Sequence, residues 1–390
     1  MSNKTEINKL ISSLNSHDIQ FKNMCDIVKI NNYSQVGAEK LKDLICTNTT
    51  EVKLLPSSAN FDWYATEEIA KNFLCEGEIF VMGRARYANA KYFNGKFVSS
   101  NNIIIQSNDC KRLLTKYLYY FVLTKEKDIY AQTSTYPKFD INIFNSIKVP
   151  IPPIEIQNEI VNILDKFTEL TAELTAELTA RQKQYEYYRN FLLNFNDIKL
   201  GGAIRKSKLG DLISINRGTR LTKDQLSEKF EYEVYHGSKD TPLGRYSLWN
   251  APKDTIIIVN TGGVGGVKYL DKEFWCSDGS FWLDKNDEII PKYLYYVLSK
   301  NEKYFATKKR IAGVPTIDKK IIENFEIKIP SIEIQKRIVY VLDNFEKICL
   351  DLNIGLPSEI NLRQKQYEYY RDLLLTFSND LTGGGIAKTK

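Results

Sequence analysis

The sequence predicts an α+β protein in which two copies of one globular α/β domain alternate with two long helices. Three observations support this prediction. The nonapeptide RQKQYEYYR occurs twice without change, at Arg181–Arg189 and at Arg363–Arg371. The segment IPPIEIQ at Ile151–Gln157 matches IPSIEIQ at Ile329–Gln335. Apolar residues then follow at alternating spacings of four and three, which is typical of a coiled-coil seam. We expect the two helices to pair antiparallel and to hold the globular domains apart.

Composition and charge limit the possible classes of protein. The chain has 390 residues, enough for two or three domains with their own cores. Its formal net charge of +6 permits a polyanionic partner without requiring one. Six cysteines without a CxxC pair, and only two histidines, make a metal site unexpected. Neither an apolar leader nor an apolar run of membrane-spanning length occurs, so a cytoplasmic protein with reduced thiols is expected.

Three further pairs of segments match between the two copies. The first pair has the pattern of a short alternating strand that enters a polar loop, and the second that of a buried strand. The third pair has the pattern of an amphipathic helix whose tyrosines face the core. In this order the pairs are Met24–Asn31 with Leu209–Asn216, Glu78–Met82 with Thr255–Val259, and Lys116–Tyr120 with Lys292–Tyr296.

Each long helix should begin directly after a proline, because proline fits the first helical turn but not the interior. The second helix is expected to break near Pro357. The first seam consists of Ile160, Leu164, Phe167, Thr171, Leu174, Leu178, Tyr185, Tyr188 and Leu192, and the second of Ile338, Leu342, Phe345, Cys349 and Leu352, then Leu362, Tyr367, Tyr370 and Leu374.

The matches define five segments. The order is a first globular domain with a short helical lead-in at 1–16, a helical region, a second globular domain, a second helical region and a tail. Their predicted bounds are 1–153, 154–200, 201–330, 331–377 and 378–390.

The two helical regions differ in length only between the seam phenylalanine and the nonapeptide. The first copy has 14 positions from Phe167 to Arg181, filled by a TAEL repeat, and the second has 18 from Phe345 to Arg363. Alanine, glutamate and leucine favour helix and threonine tolerates it. We therefore interpret the repeat as a helical spacer of adjustable length. Its spacer residues are Thr171, Leu174, Thr175 and Leu178.

No catalytic motif is apparent. The only Pro-Pro pair is flanked by isoleucines, so the polar loop of an amino-methyltransferase is missing. The glycine loop at Thr261–Gly266 lacks the Lys-Ser/Thr of a phosphate cradle. It can be a nucleotide site, a plain strand-end turn or a place where backbone approaches DNA. A nuclease site could use Asp318, Glu326 and Lys328, but the first copy does not repeat them and they also fit an ordinary strand.

Recognition of DNA remains as the main interpretation, because basic and amide residues recur in matched loops of both copies. A coiled-coil scaffold with two protein-binding adaptor domains is the alternative. The candidate DNA-binding residues of the first copy are Arg84, Arg86, Tyr87, Asn89, Lys91, Ser100, Asn101 and Lys138. Those of the second copy are Arg217, Arg220, Lys239, Arg245, Gly262, Gly263, Lys268, Ser277, Lys309 and Arg310.

The proline segments, the ILDKF and VLDNF blocks, the repeated nonapeptide and the TAEL array together resemble the specificity (S) subunit of type I restriction-modification systems. The TAEL array is typical of the type IC subgroup. The resemblance spans nearly the whole chain. It implies two target recognition domains, which recognise the two halves of a split asymmetric site in double-stranded DNA, separated by an antiparallel coiled coil.

The same resemblance implies the partners. Two modification (M) subunits dock on the helical regions and bring S-adenosylmethionine, and restriction (R) subunits add ATP- and magnesium-dependent cleavage. This chain itself would then hold no cofactor, no metal and no catalytic residue. In the nonapeptides, Tyr187 and Tyr369 point away from the seam. With Arg189 and Arg371 they are the predicted subunit interface.

Overall fold

A computed structural model of the chain describes residues 10, 19–58, 62–84, 90–131, 137–195, 204–310, 313–350 and 355–376. The helices are α1 Met24–Ile27, α2 Ala38–Asp43, α3 Glu67–Ala70, α4 Thr115–Ile129, α5 Ile141–Ser146, α6 Ile154–Leu192, α7 Pro291–Lys300, α8 Glu302–Thr307, α9 Lys319–Glu323, α10 Ile332–Leu350 and α11 Leu356–Leu375. The strands are β1 Gln20–Asn23, β2 Val28–Asn31, β3 Val52–Leu55, β4 Tyr64–Ala65, β5 Cys75–Gly83, β6 Lys91–Ser99, β7 Asn102–Ser107, β8 Tyr130–Ala131, β9 Lys138–Phe139, β10 Lys148–Ile151, β11 Arg205–Lys208, β12 Ile215–Arg217, β13 Tyr232–Tyr235, β14 Gly244–Tyr246, β15 Thr255–Val259, β16 Val267–Leu270, β17 Trp275–Cys276, β18 Ser280–Leu283 and β19 Glu326–Ile329.

The chain divides into two compact units. Unit 1 combines residues 1–173 with 360–390, and unit 2 consists of residues 174–359. Helix α6 thus contributes its first half to unit 1 and its second half to unit 2, and α11 lies mostly in unit 1, apart from its first turn. Each unit therefore contains one sheet domain and a segment from each helical region.

Unit 1 is built on a six-stranded sheet in the order β2-β7-β5-β6-β3-β4. Its pairs are antiparallel except for β3 with β6, which run parallel. The run from Ile79 to Met82 in β5 is completely buried. This confirms the buried strand that the apolar run predicted, because a central strand is covered on both faces.

Unit 2 repeats the centre of that sheet. Its four-stranded sheet has the order β12-β18-β15-β16, which corresponds strand by strand to β2-β7-β5-β6. A separate three-stranded sheet, β14-β13-β17, has the same pairing as the β4-β3-β6 side of the unit 1 sheet, because β13 runs parallel to β17 and antiparallel to β14. The two units thus share these pairings, and strands that form one sheet in unit 1 form two sheets in unit 2.

One element of the repeat differs from the prediction. Only the second half of Met24–Asn31 is a strand, since Met24–Ile27 forms a helical turn. In unit 2 the equivalent start is a 3-10 turn at Leu209–Asp211, followed by strand β12. Met24 and Leu209 are fully buried. The apolar alternation therefore reflects turn residues that point into the core, and a short alternating run cannot distinguish these from strand residues.

Both long helices begin where the prolines predicted, and each is fastened by a buried glutamine. Oε1 of Gln157 accepts a hydrogen bond from the amide of Leu114, while Nε2 donates to the carbonyls of Arg112 and Pro152. In unit 2, Gln335 repeats all three bonds, to Ile290, Glu288 and Pro330. Both glutamine side chains are fully buried.

A carboxylate about two turns further along each helix forms a second link. Asp165 accepts from Lys116 at 2.7 Å and from the hydroxyl of Tyr120 at 2.6 Å. Asp343 accepts from Lys292 and Tyr296 in the same way. The predicted tyrosine helices therefore pack their rings in the core and hold the long helices with their polar ends.

Within each unit, a nonapeptide tyrosine stacks on a seam phenylalanine of the other helical region. In unit 1, Phe167 and Tyr370 have ring centroids 5.6 Å apart at an interplanar angle of 26°. In unit 2, Tyr188 and Phe345 are 5.5 Å apart at 28°. Tyr185 also packs against Phe345, at a centroid distance of 6.4 Å. Burial and then the charge of Glu346 raise the pKa of Tyr185 to about 12. Both helical regions thus pack together within each unit.

The second helical region is interrupted as expected. Helix α10 ends at Leu350 and α11 begins at Leu356, with Pro357 in its first turn. Gly355 has a φ of +97°, and a Cβ there would lie 2.6 Å from the carbonyl oxygen of Lys347, so glycine is required. Leu362 is 62% exposed and is not part of the packed seam, contrary to its assignment. Leu352 lies outside the described residues.

Candidate nucleic-acid interfaces and helical contact surface

In unit 1 the fold brings together two of the candidate basic residues, Arg84 and Lys138. Both are exposed, and the amide of Phe139 donates to the carbonyl of Arg84 at 3.2 Å. They border a cleft of about 500 Å³. Its lining consists of Ile30, Asn31, Asn32, Tyr33, Gln35, Arg84, Asn102, Ile103, Ile104, Lys138, Phe139 and Ile141. We call this surface the amide cleft.

The amides of this cleft were not among the predicted site residues. Nδ2 of Asn31 donates to Oε1 of Gln106 at 2.9 Å. Gln35 donates to the carbonyl of Asn102 and accepts from its backbone amide at 2.7 Å. These bonds fix the orientation of the side chains. The only sequence signal for this cleft was the polar run after β2. The hydrogen-bond partners of Asn31 and Gln35 lie about 70 residues away in the sequence.

The remaining unit 1 candidates have different environments. Lys91 is only 4% exposed and donates to the carbonyl of Pro56 at 2.8 Å. Burial lowers the pKa of Lys91 to about 8. Ser100 is also buried, whereas Asn101 is exposed at the turn between β6 and β7. Lys91 and Ser100 therefore belong to the interior and not to a DNA-contacting surface. The predicted Arg86, Tyr87 and Asn89 lie outside the described residues.

In unit 2, Arg217 and Arg220 lie on one loop, residues 217–220, that we call the arginine loop. Both are exposed, and no ion pair involves them within the described ranges of unit 2. The loop is held against the segment after β17, because the amide of Thr219 donates to the carbonyl of Cys276 at 2.9 Å. A Cβ at Gly218 would lie 2.1 Å from the carbonyl oxygen of Ser277. Only glycine permits this close approach.

Other basic candidates of unit 2 have partners within the fold. Lys239 forms an ion pair with Glu302 at 2.7 Å. Nζ of Lys268 lies 4.7 Å from the ring centroid of Tyr235 and donates to its hydroxyl. The positive charges of Lys239 and Lys268 therefore interact mainly with other groups of unit 2. Lys309 is exposed, Arg310 pairs with Asp318 at 3.4 Å, and Arg245 donates to the carbonyl of Phe230.

The glycine loop approaches the backbone of its own unit. Gly262 has a φ of +85°, and a Cβ there would lie 2.8 Å from the carbonyl oxygen of Gly237. The amide of Gly263 donates to the same oxygen at 2.9 Å. This contact explains why glycine is needed here without a nucleotide, although both residues are also exposed.

The polar groups around Ser277 do not have the geometry of a catalytic relay. Ser277 is buried. Its hydroxyl lies 3.2 Å from Nδ1 of His236, and a carboxylate oxygen of Asp278 lies 3.4 Å from the same nitrogen. A relay needs its carboxylate and its nucleophile on opposite ring nitrogens. This cluster therefore fixes the turn after β17.

The residues of the possible nuclease site have structural roles. Asp318 accepts from the amide of Lys320 and caps α9. Glu326 lies 3.6 Å from Lys206 on the neighbouring strand. Within the described parts of the chain, no cluster of three His, Cys, Asp or Glu residues is arranged to hold a metal.

The helical candidates form two equivalent patches. Tyr187 is 63% exposed and Tyr369 is 62% exposed. By contrast, the guanidinium of Arg189 lies 5.5 Å from the ring centroid of Tyr185, and that of Arg371 lies 5.8 Å from the ring of Tyr367. The two tyrosines are therefore available to a partner, whereas the two arginines pack largely on their own helices.

The spacer residues lie on the continuous helix α6. Thr171, Leu174 and Leu178 are half-buried, whereas Thr175 is exposed. The hydroxyl of Thr171 donates to the carbonyl of Phe167, four residues earlier, at 2.8 Å. Thr179 makes the same bond to Thr175. These bonds satisfy each hydroxyl locally, which explains how threonine recurs in the helix.

Comparison with known proteins gives a consistent result. The family model for the type I restriction modification DNA specificity domain matches residues 18–181 and again 204–362. A type I restriction enzyme specificity subunit of Escherichia coli is 33% identical over 73% of this chain and 76% of its own length. A Haemophilus influenzae protein, named as a specificity subunit of the same kind, is 31% identical over 82% of this chain and 89% of its own length.

Among solved structures, the S subunit of a type I restriction-modification system from M. genitalium has a similar fold. It aligns with a TM-score of 0.65 at 16% identity, over 94% of this chain and 98% of that one. None of the described helices is both long and apolar enough to cross a membrane.

Proposed function

Because the chain belongs to the family of type I restriction modification DNA specificity domains, we propose that it gives such a complex its bipartite DNA specificity. Each unit recognises one half of a split target in double-stranded DNA. The observation that carries this proposal is the double family match, since each matched segment contains one sheet domain and the helix that follows it.

The two units offer different chemistry to DNA, which supports an asymmetric target. Unit 1 presents the amide cleft, and asparagine and glutamine side chains pair well with adenine in the major groove. Unit 2 presents the arginine loop, and arginine is suited to guanine and to phosphates. Two different surfaces on one repeated core fit two different half-sites.

The chain acts without a catalytic centre of its own in this proposal. Two M subunits dock on the helical regions and supply S-adenosylmethionine, while R subunits supply ATP- and magnesium-dependent cleavage. The equal exposure of Tyr187 and Tyr369, in equivalent positions of the repeat, supports two equivalent docking patches. The TAEL helix sets the length of the spacer between the half-sites.

The proposal is tested by sequencing the methylome of a host that expresses this chain with its M partner. The expected result is one motif with two specified halves and an unspecified spacer of fixed length. A host with the M partner alone is the control and should lack the motif. A continuous palindromic motif would contradict the proposed division of labour.

Substitution of both patch tyrosines should abolish assembly with the M subunits. Tyr187→Ala and Tyr369→Ala each remove one exposed aromatic anchor, and such anchors dominate the energy of interfaces. Native mass spectrometry should find one M subunit on each single variant and none on the double variant. Tyr340→Ala, on the exposed face of α10 outside the nonapeptides, is the control and should retain two. Two M subunits on the double variant would refute the assignment.

A further inference from the structure

The turn from Ser247 to Asn250 in unit 2 exposes two large apolar side chains. Leu248 is 59% exposed and Trp249 is 50% exposed. Isolated apolar residues on a surface are common, but an exposed leucine and an exposed tryptophan that are adjacent on one turn form a patch that needs an explanation. The turn follows β14, an edge strand of the three-stranded sheet of unit 2. We call the segment Ser247–Asn250, with these two exposed side chains, the apolar turn.

The apolar turn is rigidly held. Nδ2 of Asn250 donates to the carbonyl of Cys276 at 2.9 Å, and the amide of Cys276 donates to Oδ1 of Asn250 at 2.6 Å. The backbone amide of Asn250 also donates to the carbonyl of Phe274. Trp249 is therefore presented on a fixed support, as a recognition residue requires.

The arginine loop is attached to the same support. The carbonyl of Cys276 also accepts from the amide of Thr219, and Nε1 of Trp275 donates to the carbonyl of Thr219 at 2.8 Å. The ring of Trp275 in turn packs edge-on against Tyr246, at a centroid distance of 4.9 Å. Strand β17 thus fixes the arginine loop and the apolar turn side by side within unit 2.

The charge of these two segments favours one class of partner. Residues 217–223 and 244–250 include four basic residues and no acidic one. Two of the four, Arg217 and Arg220, are exposed and make no ion pair with other described residues of the unit. Unpaired arginines beside an apolar pair match a polyanion with stacked bases.

We propose that Leu248 and Trp249 form an apolar wedge that contacts bases in the half-site recognised by unit 2. Arg217 and Arg220 hold the neighbouring phosphates and thereby position the wedge in the groove. This inference rests on the proposed DNA-recognition function. It adds an apolar contact to bases, because contacts to phosphates do not by themselves distinguish one sequence from another.

The test uses the assembled complex with its M subunits and a labelled duplex carrying the target, with dissociation constants measured by fluorescence anisotropy over a range of salt concentrations. Trp249→Ala should weaken binding about 10- to 100-fold, the effect of losing one aromatic contact to a base. The slope of log affinity against log salt should not change, because no phosphate contact is lost. Arg220→Ala should reduce that slope by about one.

Two further variants control for folding and for general exposure. Trp249→Phe keeps an aromatic ring and should recover most of the affinity. Ile69→Ala removes an exposed apolar side chain from unit 1 and should leave affinity unchanged. In the methylome, Trp249→Ala should relax one half of the motif and leave the other half intact.

The outcomes separate this inference from the function on which it rests. Wild-type affinity of the Trp249→Ala complex for its target would overturn the wedge and leave the proposed function standing. Loss of M subunits from that variant, with normal DNA affinity of the complexes that remain, would assign the apolar turn to a protein partner instead. Failure of the wild-type complex to bind DNA would overturn both.

Discussion

Deletion of Thr175–Leu178 is expected to abolish modification of the original target and to create a target whose unspecified spacer is one base pair shorter. One TAEL unit contributes about 6 Å of helix and about 40° of rotation. A base pair spans about 3.4 Å, with roughly 10 to 10.5 pairs per turn. The rotation matches one base pair closely, and the length corresponds to between one and two. Methylome sequencing of the variant measures the new spacer directly.

A variant with unchanged helix length distinguishes the effect of the length of the repeat from the effect of its sequence. Thr175→Ala keeps the helix length and replaces an exposed threonine by a better helix former, so the target should not change. Insertion of one further TAEL unit should lengthen the spacer by one base pair. Both half-sites should remain the same in all three variants. A changed half-site after the deletion would mean that the repeat does not act as a spacer.

Gln335→Leu should destabilise unit 2 by about 2–3 kcal/mol. Leucine has nearly the same size, but it leaves one buried and two partly buried backbone groups without their partner, and a fully buried group costs about 1–3 kcal/mol. These groups are the amide of Ile290 and the carbonyls of Glu288 and Pro330. The free energy of unfolding can be measured by urea denaturation followed by circular dichroism.

Gln157→Leu should have the same effect on unit 1, because its side chain makes the three equivalent bonds. Amide hydrogen exchange distinguishes the two variants, since protection should be lost first in the unit that carries the substitution. Gln182→Leu changes an exposed glutamine of the first nonapeptide and should have little effect. Equal stability of Gln335→Leu and the wild type would show that these bonds add little to the fold.

Local patterns predicted the elements that depend on local physics. Proline fixes where a helix can begin, so the starts of α6 and α10 follow from Pro153 and Pro330. A continuous apolar run identified β5 and β15, because a central strand needs apolar residues on both faces. The repeated segments also revealed that the domain is duplicated, which no single copy could show.

The site depended on contacts between residues far apart in the sequence, and these were not predictable. Lysine is normally a surface residue. Only the hydrogen bond from Lys91 to the carbonyl of Pro56 explains why this lysine is buried. Gln35 becomes part of a cleft because Asn102 binds it from another strand. Trp249 looks like a core tryptophan in the sequence, but it is 50% exposed in the structure. Pattern identifies which face of an element is apolar, but not which surface meets solvent.

The stacking of Phe167 on Tyr370 has a consequence for how the protein is made. Unit 2 is one continuous stretch and can fold as soon as it has left the ribosome, whereas unit 1 needs a helix synthesised about 200 residues after Phe167. At roughly 5–20 residues per second, that interval lasts on the order of 10–40 s. The apolar seam of unit 1 therefore remains without its partner helix while unit 2 is synthesised. The domain synthesised first is thus the last to be completed.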